Sequence, residues 1–271
     1  MTNTLLRSQF QKFPFHLVDP SPWPILLSFS LLNLTVGAVS YMHGIANGGY
    51  ILTLGFILTV YGMILWFKDV TCEGSYLGFH TKEVQNGLMI GMILFIISEV
   101  FAFLSVFWAF FHSSLSPAIE IGGAWPPLGI TPLDPFAIPL LNTFLLLSSG
   151  AFITYAHHAL IAGNRKATID GVILTIILAA IFTGLQYFEY SEAGFTMADG
   201  VYGSAFYAST GLHGFHVIIG TIFIGVALVR VINYHLTRKH HTGFESSILY
   251  WHFVDVVWLF LFVAVYFWGN T

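Results

Sequence analysis

The run MIGMILFIISEVFAFLSVFWAFFHSSL, Met89 to Leu115, limits what this chain can fold into. It is too long and too apolar for the core helix of a soluble domain. It is long enough to cross a bilayer, which takes about 20 apolar residues. One acid, Glu99, sits inside it, with largely apolar neighbours for about two helical turns on either side. A carboxylate at that depth is costly unless it is neutral, paired or facing a wet cavity, so its presence asks for a partner or a use.

Similar runs recur along the chain. We read seven spanning helices, at about 23–43, 50–67, 82–113, 136–161, 168–188, 201–232 and 247–268. The third and sixth are longer than a bilayer needs, which implies tilt or protrusion into one aqueous layer. Only 8% of the residues are charged, against about 25% in a soluble domain. No polar stretch is long enough to form a separate domain. The expected fold class is therefore an all-α polytopic membrane protein with seven transmembrane helices, residues 1–271 forming a single membrane domain.

The basic residues test this count. Arg7, Lys12, Lys68, Lys82, Arg165, Lys166, Arg230, Arg238 and Lys239 fall in the N-terminal tail and in every second loop. The remaining loops carry acids instead, at Glu120, Asp134, Glu192 and Asp199. Adding or dropping one span would scramble the separation. The positive-inside rule then puts the N-terminus on the inner side and the C-terminus outside. The N-terminal sequence MTNTLLRSQFQKFPFHLVDPSPWP lacks an apolar core ending in a cleavage site and is not expected to be a signal peptide. The longest outer loop, Leu115 to Pro135, holds five prolines and should follow an extended path. In the last helix Trp251 and Trp268 lie about 25 Å apart, close to one hydrocarbon thickness.

Few residues are equipped for chemistry. Glu99 reads either as a proton-handling or pocket-lining carboxyl or as a protonated carboxyl bonded to a neighbouring helix. Asp255 lies nearer the inner surface and should pair with a His or Arg of another inner loop. Cys72 is the single cysteine, so an internal disulfide is excluded and no cysteine pair exists to hold zinc or an iron–sulfur cluster. His157 and His158 are adjacent and point to different faces, while His213 and His216 share one. His252 begins the last helix. No helix shows the paired depths that two haems would need, and no ligand set is legible around His213 and His216; interhelical hydrogen bonds account for the histidines better. The inner cluster of Arg230, His235, Arg238, Lys239, His240 and His241, with Lys68, His80 and Lys82 as possible additions, suits anionic lipid headgroups. Gly87 and Gly91 form a GxxxG, and Gly211, Gly214, Gly220 and Gly225 thin the sixth helix for close packing. Nothing suggests nucleic-acid binding, a phosphate-cradling loop or a nucleophile triad.

Several motifs, in order along the whole chain, give it a resemblance: VDPSPWP, GMILFIISEVF with FWAFFHSSL, GGAWPPLGI, PLLNT, YAHHAL, DGVYGS with TGLHGFHVIIG, and YWHFVDVVWLFLFV. Together they resemble the cytochrome c oxidase subunit III family. The resemblance implies a core accessory subunit of the oxidase (respiratory complex IV), an oxidoreductase complex that passes electrons from cytochrome c to oxygen and pumps protons. It implies a non-catalytic subunit that supports stability, lipid binding and proton uptake. Haem a, haem a3 and copper are expected in partner subunits, with none bound by this chain, so no catalytic or metal residue is assigned.

The implied partners are subunits I and II, smaller accessory subunits and structural phospholipids. The lipids would lie in a cleft between the first two helices and a bundle of the other five. By matching position, Glu99 is the family's buried functional carboxyl, and His80, Arg230 and His235 are lipid-headgroup positions. Asn233 departs from members with Lys there, and Phe67 from those with a Trp pair. The implied location is the mitochondrial inner membrane, N-terminus in the matrix and C-terminus in the intermembrane space. Two other functions stay open on the residues alone: a stand-alone proton or ion transporter using Glu99, and a membrane haem or quinone oxidoreductase using the histidines.

Overall fold

The computed structural model describes residues 13–270. Arg7, Lys12 and the first part of the N-terminal stretch lie outside the described residues. Seven helices long and apolar enough to span a bilayer follow in order: α1 Trp23–Met42, α2 Gly48–Ser75, α3 Lys82–Leu115, α4 Ile138–Ala162, α5 Arg165–Glu192, α6 Val201–Ile232 and α7 Thr242–Asn270. Among the described residues there is no strand.

The ends show where local chemistry overrides apolarity. α2 runs eight residues beyond the expected Phe67, carrying Lys68, Asp69 and Glu73 on its last turns. Long polar side chains there can reach water while their stems stay on apolar surface. The Trp23 indole N–H, at the start of α1, donates to the Asp69 carboxylate and ties these turns down. α5 starts at Arg165 and not at Thr168. Gly163 closes α4 at φ +85, and Asn164 accepts from the Ala167 N–H at 3.2 Å, capping α5. Arg165 then donates to the carbonyls of Val231 and Ile232 at 3.3 and 2.7 Å, satisfying the open end of α6. α7 begins five residues before the expected Ser247, at Thr242, and from Phe262 to Phe267 it widens into a π-helical turn.

The chain falls into two compact units, one running to Gly87 and the other from Leu88. In the first, α1 and α2 meet along glycine. Gly48, Gly55 and Gly62 repeat every seven residues along α2 and are buried. A Cβ on Gly55 would lie 2.5 Å from the Leu34 backbone nitrogen, and one on Gly48 would lie 2.6 Å from that of Tyr41. Where lipid replaces water there is little hydrophobic drive between helices, and close backbone approach supplies dispersion contact instead.

In the second unit α7 packs between α4 and α6, and α5 lies against both α4 and α6. Two indole rungs help fix α7 on α4. The Trp251 indole N–H donates to Ser149 Oγ and that of Trp258 to Thr143 Oγ1, each at 2.9 Å. The hydroxyl partners run down α4 as the tryptophans run up α7, so the helices are antiparallel. Trp125, from the proline-rich loop, stands against Phe110 and Tyr202 with ring centroids at 5.5 and 5.2 Å. The expected glycine contacts are only partly there. A Cβ on Gly87, Gly91, Gly211, Gly214 or Gly225 would meet nothing within 4 Å, whereas one on Gly220 would press on Trp251. Among the described residues the GxxxG of α3 therefore makes no close contact.

Candidate functional site

Most of α3 is exposed, and Phe103, Phe110 and Ser114 are its only buried residues among those described. Its ring contacts to α7 run from Phe95 on Tyr250 through Phe103 on Phe253, at 5.9 Å, to Phe110 on Trp268, and Glu99 lies among them. The Glu99 side chain keeps 23% of its surface exposed, and its Oε2 lies 2.8 Å from Nε2 of His216 on α6. The other ring nitrogen, Nδ1, is 2.7 Å from the carbonyl of Leu212 one turn back. A carbonyl only accepts, so Nδ1 carries hydrogen. Two electron pairs cannot face each other at 2.8 Å, so one proton sits between Nε2 and the carboxyl. The pair is therefore either His⁺ with carboxylate or neutral His with carboxylic acid. Neither residue is a lone polar group in lipid. The contact joins positions 117 apart in sequence, and the shared face of His213 and His216 gave no sign of it.

Glu99→Gln keeps a donor for His216 Nε2 and should leave the chain's retention in its assembly nearly unchanged. Glu99→Leu strands that nitrogen, which is expected to cost about 1–3 kcal/mol. Heating the assembly and measuring the fraction that keeps the chain tests this; equal loss in both variants would refute a bond-dependent role.

His213, fully buried, holds the Val254 carbonyl through Nε2 at 3.2 Å. His252 Nε2 lies 3.1 Å from Thr154 Oγ1. The neighbour of Asp255 differs from the expectation. It is His252 on the same helix, Nδ1 to Oδ2 3.7 Å, not a residue of another inner loop. Asp255 also sits tight against α4, where a Cβ on Gly150 would fall 2.5 Å from its Oδ2. A second buried carboxyl, which sequence reasoning missed, is Glu189 on α5. It accepts from the Tyr266 hydroxyl at 2.6 Å and from Gln186 Nε2 at 3.2 Å. Its place near the end of a run of mixed polarity hid it.

The basic residues expected on the inner side fall into both units. In the first, the His80 ring covers Gly74, and His16 lies stacked on Phe79 at 4.8 Å and edge-on to His80 at 6.0 Å. In the second, Arg230 ends α6, half-buried, and a Cβ on Gly243 would lie 2.5 Å from its guanidinium. His235 and His240 are half-buried in the α6–α7 loop, with Arg238 and Lys239 exposed between them. Burial, then the nearby Arg230 and His241, holds the His240 imidazole below its ordinary pKa. At neutral pH the His240 ring therefore adds little to the charge that Arg238 and Lys239 give this loop.

The sequence profile described as cytochrome c oxidase subunit III matches residues 13–270. The chain is 61% identical to cytochrome c oxidase subunit 3 of Mycosarcoma maydis over all of both chains. It is 60% identical to that of Schizophyllum commune, over 97% of this chain and 98% of the relative. Against that of Prototheca wickerhamii it is 58% identical, over 96% of this chain and all of the relative. With its seven apolar helices and its full-length match, the chain belongs to the cytochrome c oxidase subunit III family.

Proposed function

We propose that this chain is a core subunit of cytochrome c oxidase that carries no redox centre of its own and supports the chemistry of subunits I and II. The observation that carries this is the end-to-end likeness to proteins named as subunit 3 of that oxidase. The complex takes electrons from cytochrome c to oxygen and pumps protons, with its haem a, haem a3 and copper in the partner subunits. The histidines of the spans support the reading, because His213, His216 and His252 each engage a protein partner. A stand-alone transporter or a haem or quinone oxidoreductase is not favoured.

In the same proposal residues 1–271 act as a single membrane domain in the mitochondrial inner membrane, N-terminus in the matrix. The one-sided Lys and Arg support that orientation. His80, Arg230 and His235 bind phospholipid headgroups, where half-buried N–H donors beside the Arg230 guanidinium and near helix ends suit phosphate. Glu99, one proton shared with His216, tunes access to subunit I and does not react itself.

Removing this subunit alone from the purified oxidase tests the reading with two readouts. Haem and copper per remaining complex should stay constant while oxygen reduction decays faster during turnover. Tightly held phospholipid, measured by mass spectrometry, should fall. Stoichiometric loss of haem or copper would refute the redox-free assignment, and unchanged lipid would refute headgroup binding.

A further inference from the structure

Three ligating side chains converge where the end of α4 meets the start of α7. His157 Nε2 and His241 Nε2 are 3.3 Å apart. Glu245 Oε1 lies 3.2 Å from His241 Nε2 and 3.9 Å from His157 Nε2. Sequence reading assigned no metal residue because these groups come from separate elements and His157 looked like one half of a His pair.

We infer that His157, His241 and Glu245 form a binding site for a divalent cation of zinc type, open to the inner aqueous layer. The distances carry the inference. Four ligands about 2.0–2.1 Å from zinc in a tetrahedron stand about 3.3–3.4 Å from one another. Two of the three separations here match that edge, and the third needs a small rotation of one side chain.

Proton positions point the same way. His241 Nδ1 lies 2.9 Å from the Thr237 carbonyl and so donates to it. In the neutral ring Nε2 then presents a lone pair. An imidazole whose far nitrogen is held by a carbonyl is oriented as metal-bound histidines commonly are. Glu245 Oε1 lies 3.2 Å from that nitrogen, so the carboxylate and the ring present their ligating atoms to one point. The turn holding Thr237 is itself fixed, with the His240 N–H donating to Thr237 Oγ1 at 3.0 Å.

The His241 side chain is nearly buried at 8% exposure, while Glu245 keeps 37% and His157 24%. A cation would therefore reach the site from the Glu245 side and complete its fourth position with water. Glu245 in the first turn of α7, His241 just before it and His157 of α4 would then be clamped together. This goes beyond the redox-free role proposed above and does not depend on it.

The test uses the intact oxidase containing this chain, with zinc chloride alone as the probe. Crystals soaked at low micromolar zinc, with diffraction recorded above and below the zinc absorption edge, should show an anomalous peak about 2 Å from His241 Nε2. Glu245→Gln, nearly isosteric, should weaken apparent affinity by about tenfold or more. His241→Ala should abolish the peak. No peak at saturating zinc, a peak only at millimolar zinc, or a peak unchanged in both variants would overturn the site.

Discussion

Gly55→Leu is expected to break the pairing of α1 with α2. The new side chain would start 2.5 Å from the Leu34 backbone nitrogen. A clash with a flexible side chain can be relieved by rotation, but a clash with helical backbone moves a whole helix. Overpacking costs about 1–3 kcal/mol in typical cores, and a backbone clash belongs at the upper end or beyond. Thermal loss of the chain from the purified oxidase should occur at clearly lower temperature. Gly87→Leu is the control, since its added carbon meets nothing within 4 Å. Its effect should stay within about 0.5 kcal/mol. Equal loss in the two variants would mean that the glycine seam is not what holds the pair.

The second large effect is expected at Trp258. Its ring is 1% exposed and lies 4.9 Å from that of Phe182, 5.1 Å from that of His213 and 5.7 Å from that of Tyr266. Trp258→Ala removes these contacts and leaves Thr143 Oγ1 without its donor. The cost should be about 3–5 kcal/mol, as for other large-to-small core changes. Trp258→Phe keeps much of the volume and loses chiefly the hydrogen bond, about 1 kcal/mol. Denaturation of the assembly in rising detergent or heat, followed by retention of this chain, ranks the variants. A Phe variant as damaged as the Ala variant would place the stability in the bond and not in the packing.

The spans were legible because their signal is local. Each run of apolar residues satisfies its own backbone by coiling, so the positions of the helices follow from the sequence alone. Their ends followed less well. Lys68, Asp69 and Glu73 look like a loop, yet α2 continues through them because Trp23 binds Asp69. The glycine signal misled where it was read as a motif. The GxxxG at Gly87 and Gly91 is open, while the repeat Gly48, Gly55 and Gly62 makes the contact. Whether a small residue is filled or empty depends on what the partner helix presents, and that is tertiary information. The same holds for Glu99 with His216 and for His157 with His241 and Glu245. Their residues are visible in the sequence, but their meeting requires two helices to be set side by side.

The first pair of helices has a consequence for how the protein is made. Its seam, its short turn and the bond from Trp23 to Asp69 all lie before Ser75. A chain growing from its N-terminus has therefore delivered every residue of that contact before the third helix is synthesised. The pair can enter the bilayer as a closed hairpin, sealed by backbone contact, while the remaining five segments are still unborn. Faults in the glycine seam would then act during insertion, and would be seen as low abundance of new protein before any change in the mature enzyme.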